Sequence, residues 1–122
     1  MTIKFLIVDR NSSMRSIIRA QLKDMGFSNI QETGNAESAL LNMTRHEYDV
    51  ILTEVDLPGI DGFQFIEEIK KKHIVNDFQI MVIASALSKA ELVRLAQMGI
   101  TSFLIKPFTL VAFEQHLKSL LR

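Results

Sequence analysis

The sequence predicts an α/β fold, a single doubly wound parallel sheet of five strands with helices on both faces. Two observations carry that prediction. Five short, mostly apolar runs alternate with five longer segments whose apolar residues recur at helical spacing. The connections between them are short, and right-handed crossovers then make a sheet covered on both faces the economical arrangement. A chain of 122 residues, 48% of them hydrophobic, suits one domain with one core, here taken as 1–122.

The first strand is expected at Ile3 to Val8, a nearly continuous apolar run too short for a helix. It ends at Asp9-Arg10-Asn11, and Ser12 or Ser13 is placed to cap a helix that turns Met14, Ile17, Ile18, Leu22 and Met25 inward. Gly26 closes that helix. A weaker strand, Ile30 to Thr33, reads as lying near an edge, and Asn35 begins a second helix with Ala36, Ala39, Leu40 and Met43 inward. The third strand, Asp49 to Thr53, ends on two acids, Glu54 and Asp56, and breaks into a Pro58-Gly59 turn. Asp61-Gly62 reads as cap and turn for a third helix, with Phe63, Phe65, Ile66 and Ile69 inward. Lys70, Lys71 and Lys72 at its end suit the negative pole of the helix dipole.

Phe78 to Ala84 reads as the fourth strand, and Ser88 to Glu91 has capping-box spacing for a fourth helix that Gly99 stops. Ser102 to Ile105 is the fifth strand, closed by Lys106-Pro107-Phe108. Thr109 starts the last helix, with Val111, Phe113, Leu117, Leu120 and Leu121 as its apolar set.

Composition excludes several function classes. With 14 basic and 14 acidic residues the formal charge is zero, which argues against a nucleic-acid face or a polybasic membrane anchor. There is no cysteine, so disulfides and thiolate chemistry are absent. No signal or spanning segment is read at the start, so a cytoplasmic protein is expected. His46, His73 and His116 lack ligand spacing and are expected at the surface, and the six methionines read as core filler. In a parallel sheet, ligands and chemistry sit beyond the carboxyl ends of the strands, which singles out Asp9, Glu54 and Asp56.

Four features at those ends carry a family resemblance. They are Asp9 after the first strand, Glu54 with the Leu57-Pro58-Gly59-x-Asp61-Gly62 turn after the third, Ala84-Ser85 after the fourth, and Lys106-Pro107-Phe108 after the fifth. Their order and spacing resemble the receiver domain of bacterial two-component response regulators, above all the single-domain chemotaxis type. The resemblance spans the whole chain and implies the flavodoxin-like strand order 2-1-3-4-5. It also implies a site in which two acids after the first strand and an aspartate after the third hold Mg²⁺. That aspartate accepts a phosphoryl group, and a Ser/Thr and the lysine bind its oxygens. Such chemistry is positioning plus charge neutralisation.

This sequence departs from the pattern at three positions, all in the site. Arg10 replaces the second acid, Glu54 stands at the phosphoacceptor position, and Ala84 falls at the Ser/Thr position with Ser85 one place beyond. Arg10 puts a cation where Mg²⁺ needs an oxygen ligand. Glu54 carries its carboxylate one methylene further but brings one negative charge where a phosphoryl group brings about two. Ala84 has no hydroxyl, and Ser85 is the alternative source of one. The expectation is a pseudo-receiver: a permanent ion-pair cluster of Arg10, Glu54, Lys106 and Asp9 in place of a metal-dependent switch, with no enzymatic activity. Lys106 reads equally as functional remnant or structural partner, and Arg10 also suits a solvent-facing place. Asp56 reads as turn former or as a backbone ligand. No cofactor or metal is expected, and Mg²⁺ (on Asp9, Glu54 and Asp56) only if the site is still active.

By resemblance, the partner is a protein: a histidine kinase, a chemotaxis or motility protein, or an output domain. It would dock on the fourth helix, fifth strand and fifth helix, with Leu92, Phe103 and His116 as candidate contacts and Phe103 the switch aromatic, turned inward. Leu92 is expected outward because Val93, Ala96 and Met98 can serve the core. The alternative reading is a working phosphoacceptor using Glu54 or Asp56. A third, an unrelated enzyme or nucleotide binder, is opposed by Asp9-Arg10-Asn11-Ser12 where a glycine-rich phosphate loop would stand.

Overall fold

The computed structural model describes residues 2–72 and 78–121, so the expected surface histidine His73 lies outside the described residues. Strands β1 (Lys4–Val8), β2 (Asn29–Thr33), β3 (Val50–Glu54), β4 (Gln79–Ala84) and β5 (Ser102–Ile105) alternate with helices α1 (Ser12–Asp24), α2 (Ala36–Arg45), α3 (Gly62–Lys71), α4 (Lys89–Gln97) and α5 (Leu110–Leu120). All strand pairings are parallel, in the order β2-β1-β3-β4-β5, so β2 is an edge. This is the expected fold and strand order.

The two faces of the sheet can be read from strand alternation. Phe5 and Ile7, Val50 and Leu52, Met81 and Ile83, and Leu104 pack against Ile18 and Leu22 of α1 and Phe113 and Leu117 of α5. Leu6, Val8 and Ile51 face the other way, onto α2 and α3, and Val82 packs with Phe63, Ile66 and Leu95 of α3 and α4. Burying both faces explains why the central strands read as continuous apolar runs.

Local signals set most helix ends. Asp61 with Gln64, and Ser88 with Glu91, form complete capping boxes, Asn35 caps α2, and Thr109 accepts from Ala112 N–H. The α1 cap is Asn11, not Ser12 or Ser13. Its side chain accepts the Met14 N–H, and the two serines fall inside the first turn. Asparagine caps at least as well as serine, so the earlier residue wins.

Several apolar assignments shift with helix phase. Each helical residue rotates by roughly 100°, so Ile17, beside the inward Ile18, is turned out, and Val111, two residues before Phe113, lies on the far side. On α4 the inward position is Leu95, while Val93 and Ala96 are exposed and Leu92 is half-buried. Leu92 is therefore not the outward leucine of the fourth helix; Val93 takes that place.

One glycine is fixed by close approach. A Cβ on Gly62 would lie 2.5 Å from the Glu54 carbonyl oxygen and 2.7 Å from Val55 Cα, both backbone atoms. Gly62 N–H also donates to Val55 O at 2.9 Å, pinning α3 against the end of β3. Gly62→Ala is expected to lower stability by about 1–3 kcal/mol, as overpacking does in a tight core. A urea midpoint equal to that of the native chain would refute this.

Candidate functional site

The register that pairs Val8 with Thr53 brings Asp9 level with Glu54 at the carboxyl edge of the two central strands. Both acids continue the parity of the residues facing α1 and α5, and both are buried, Asp9 at 2% and Glu54 at 5% exposure. Ala84 pairs with Ile105 at the end of β4 and β5, and Lys106 N–H donates to Ala84 O at 2.8 Å. From there the Lys106 side chain reaches back across the strand ends.

Lys106 Nζ donates to Asp9 Oδ2 at 2.9 Å and to Glu54 Oε2. The two remaining carboxylate oxygens take backbone donors. Asn11 N–H donates to Asp9 Oδ1 at 2.8 Å, and Val55 and Asp56 N–H donate to Glu54 Oε1 at 3.0 and 3.3 Å. Every oxygen of both buried carboxylates thus has a donor supplied by the chain itself, as buried charges require. Burial would lower the Lys106 pKa, but hydrogen bonds and charge from Glu54 and Asp9 outweigh it and hold the ammonium above its usual value.

Arg10 is not in this cluster. It turns to the rim, where Nη1 meets Asp56 Oδ1 at 3.4 Å with 52% and 80% of the two side chains exposed. Lys106 and the backbone N–H groups already occupy every oxygen of the two acids, and the long guanidinium costs less free energy in water than buried beside them. The cation in the cluster is therefore Lys106 alone. Asp56 contributes its backbone N–H to the site while its side chain stays outside. Among the described residues, no group of three or more His, Asp or Glu side chains is placed to hold a metal ion.

Ala84 is fully buried; Ser85 lies beyond the strand, exposed, and joins none of these bonds. Phe103, opposite Val82, is partly buried against Phe63, Ile66 and Leu95. His116 is exposed, with Nδ1 at 2.8 Å from Ala112 O. The α4–β5–α5 face also exposes three apolar positions: Ile105, not singled out from the sequence, and Val93 and Val111, both expected to face the core. Ile105 alternates out of a strand that ends there, which was a readable signal. The other two needed the helix phase.

Behind the site, Arg15 Nη1 donates to Asp9 O at 2.6 Å, and both Arg15 and Arg19 bind Glu32 on β2. The Arg19 hydrogen bond is the largest influence on Glu32 and, against burial, holds its carboxyl below the usual range. These contacts tie α1 and the loop carrying Asp9 to the edge strand.

Comparison with known proteins agrees with this architecture. The model of the response regulator receiver domain family matches residues 5–118. The chain is 29% identical over 114 residues to the chemotaxis protein CheY-3 of Vibrio cholerae, covering 93% of this chain and 88% of that protein. It is 26% identical over 117 residues to the chemotaxis protein CheY of Pseudomonas aeruginosa, covering 96% and 94%. Among solved structures, the chemotaxis response regulator CheY4 of Vibrio cholerae superposes with a TM-score of 0.89 at 23% identity, over 98% of this chain and 99% of that one. A two-component response regulator from Clostridium difficile gives a TM-score of 0.88 at 24% identity, over 99% and 97%. Among the described residues no helix is long and apolar enough to cross a membrane.

Proposed function

The chain belongs to the response regulator receiver domain family, and from that premise we propose that it is a pseudo-receiver, a non-enzymatic protein-interaction module held in one state without phosphorylation. The observation that carries this reading is the self-satisfied cluster. Glu54 stands where the family's resemblance expects the acceptor, and its two oxygens are occupied by Lys106 and by two backbone N–H groups. Asp9, the remaining acid, is likewise saturated by Lys106 and Asn11.

Mg²⁺ does not fit this donor set. It asks for near-octahedral oxygen ligands, whereas an ammonium already lies between the two carboxylates and Arg10 follows Asp9 directly in the chain. These residues therefore offer no metal-assisted route for phosphoryl transfer. What the residues do is hold two loops and three strand ends in one arrangement. Ala84 gives that arrangement no hydroxyl through which to report a phosphoryl group.

A cytoplasmic protein partner is the expected reader, docking on the α4–β5–α5 face. Val93, Ile105 and Val111 supply exposed apolar contact there, with His116 and the half-buried Leu92 and Phe103 beside them. The competing reading, a working phosphoacceptor, draws on the reach of Lys106 to a carboxylate at the end of β3. The two separate on incubation with acetyl phosphate and Mg²⁺ followed by intact mass. No phosphoryl adduct is expected, while a phosphorylatable receiver treated in parallel labels. An adduct mapping to Glu54 or Asp56 would overturn the proposal.

A further inference from the structure

Two loops close over the buried cluster, and each supplies it with a backbone donor. The β1–α1 loop carries Asn11, whose N–H donates to Asp9 Oδ1 at 2.8 Å. The β3–α3 loop carries Asp56, whose N–H reaches Glu54 Oε1 at 3.3 Å, near the long limit for such a bond. Each loop is anchored at its base, the first by Arg15 on Asp9 O and the second by Gly62 N–H on Val55 O. Only one side-chain bond among the described residues joins these two loops directly, that of Arg10 Nη1 to Asp56 Oδ1.

We propose that the Arg10–Asp56 bridge is a salt-sensitive strap that holds the two loops together over the Asp9–Lys106–Glu54 cluster and keeps their N–H groups on its carboxylates. Arg10 sits between Asp9 and the Asn11 donor, and Asp56 is itself a donor, so parting the bridge loosens one bond on each acid. Because both partners are largely exposed, ions screen the bridge effectively, whereas the buried cluster beneath is screened far less. Arg10 and Asp56 are positioning residues in this arrangement. The strap joins the two loops whether or not Glu54 accepts a phosphoryl group.

Amide hydrogen exchange read by NMR tests it. On going from low salt to about 1 M salt, the Asn11 and Asp56 amides should exchange about two- to fivefold faster, the range an exposed ion pair supports. The amides of Ile7 and Leu52, inside the central strands, should keep their rates. Arg10→Ala should show the fast rates at both salt concentrations. The paired exchange Arg10→Asp with Asp56→Arg should restore slow exchange and its salt response. Salt-independent rates at Asn11 and Asp56 in the native chain would overturn the proposal. So would native rates in Arg10→Ala, or a uniform rise across all amides, which would mean general loosening.

Discussion

Lys106→Met is expected to cost about 3–5 kcal/mol of folding stability at neutral pH, the range for breaking one partner out of a buried ion pair. Methionine fills much of the same space, so the loss is electrostatic. Asp9 and Glu54 are left buried side by side, each with one oxygen deprived of its donor. The urea midpoint should fall by roughly 2 M. The pH dependence should change as well. In the native chain the Lys106 ammonium is held above the ordinary lysine value of 10.5. Its contribution is therefore complete below 10.5 and lost as pH rises through the higher folded value. The variant lacks that alkaline loss. Adding Glu54→Gln to Lys106→Met should return much of the loss at neutral pH. A cost below about 1 kcal/mol for the single change would mean that the cluster is solvated in solution.

The fold was legible because strand burial and helix caps leave local marks. The continuous run from Ile3 to Val8, the Asp61 and Ser88 caps and the glycines at 26 and 99 needed no long-range information. Where neighbours competed, the expectation went astray: Ser12 or Ser13 for the Asn11 cap, Ile17 inward along with Ile18, and Val93 in the core where Leu95 lies. Helix phase there depends on packing against the sheet. In the site, the charged types and their strand-end places were readable, but of the four-residue cluster expected only Lys106, Glu54 and Asp9 meet. The direction of Arg10 was not readable. Which acid a flexible guanidinium meets is set by the carboxylate oxygens that Lys106 and the backbone already occupy, a fact of three dimensions. The backbone donors of Asn11, Val55 and Asp56 were equally hidden, since every residue but proline carries one.

If the three departures are what holds the site shut, reversing them together should open it. Arg10→Asp, Glu54→Asp and Ala84→Thr in one chain are expected to give a Mg²⁺-dependent phosphoryl adduct with acetyl phosphate, where the native chain gives none. Each change has its own task. Glu54→Asp withdraws the carboxylate by one methylene, away from Lys106 and the Val55 and Asp56 N–H groups, and leaves room for an incoming phosphoryl group. Arg10→Asp removes a cation and supplies a second oxygen ligand next to Asp9. Ala84→Thr puts a hydroxyl at the end of β4, beside the backbone that already meets Lys106 N–H. Glu54→Asp alone should label far less, because Arg10 still opposes the metal on which charge neutralisation depends. A triple variant as stable as the native chain that bound Mg²⁺ yet took no label would place the block outside these three positions. The saturated cluster would then be a consequence of lost phosphorylation and not its cause.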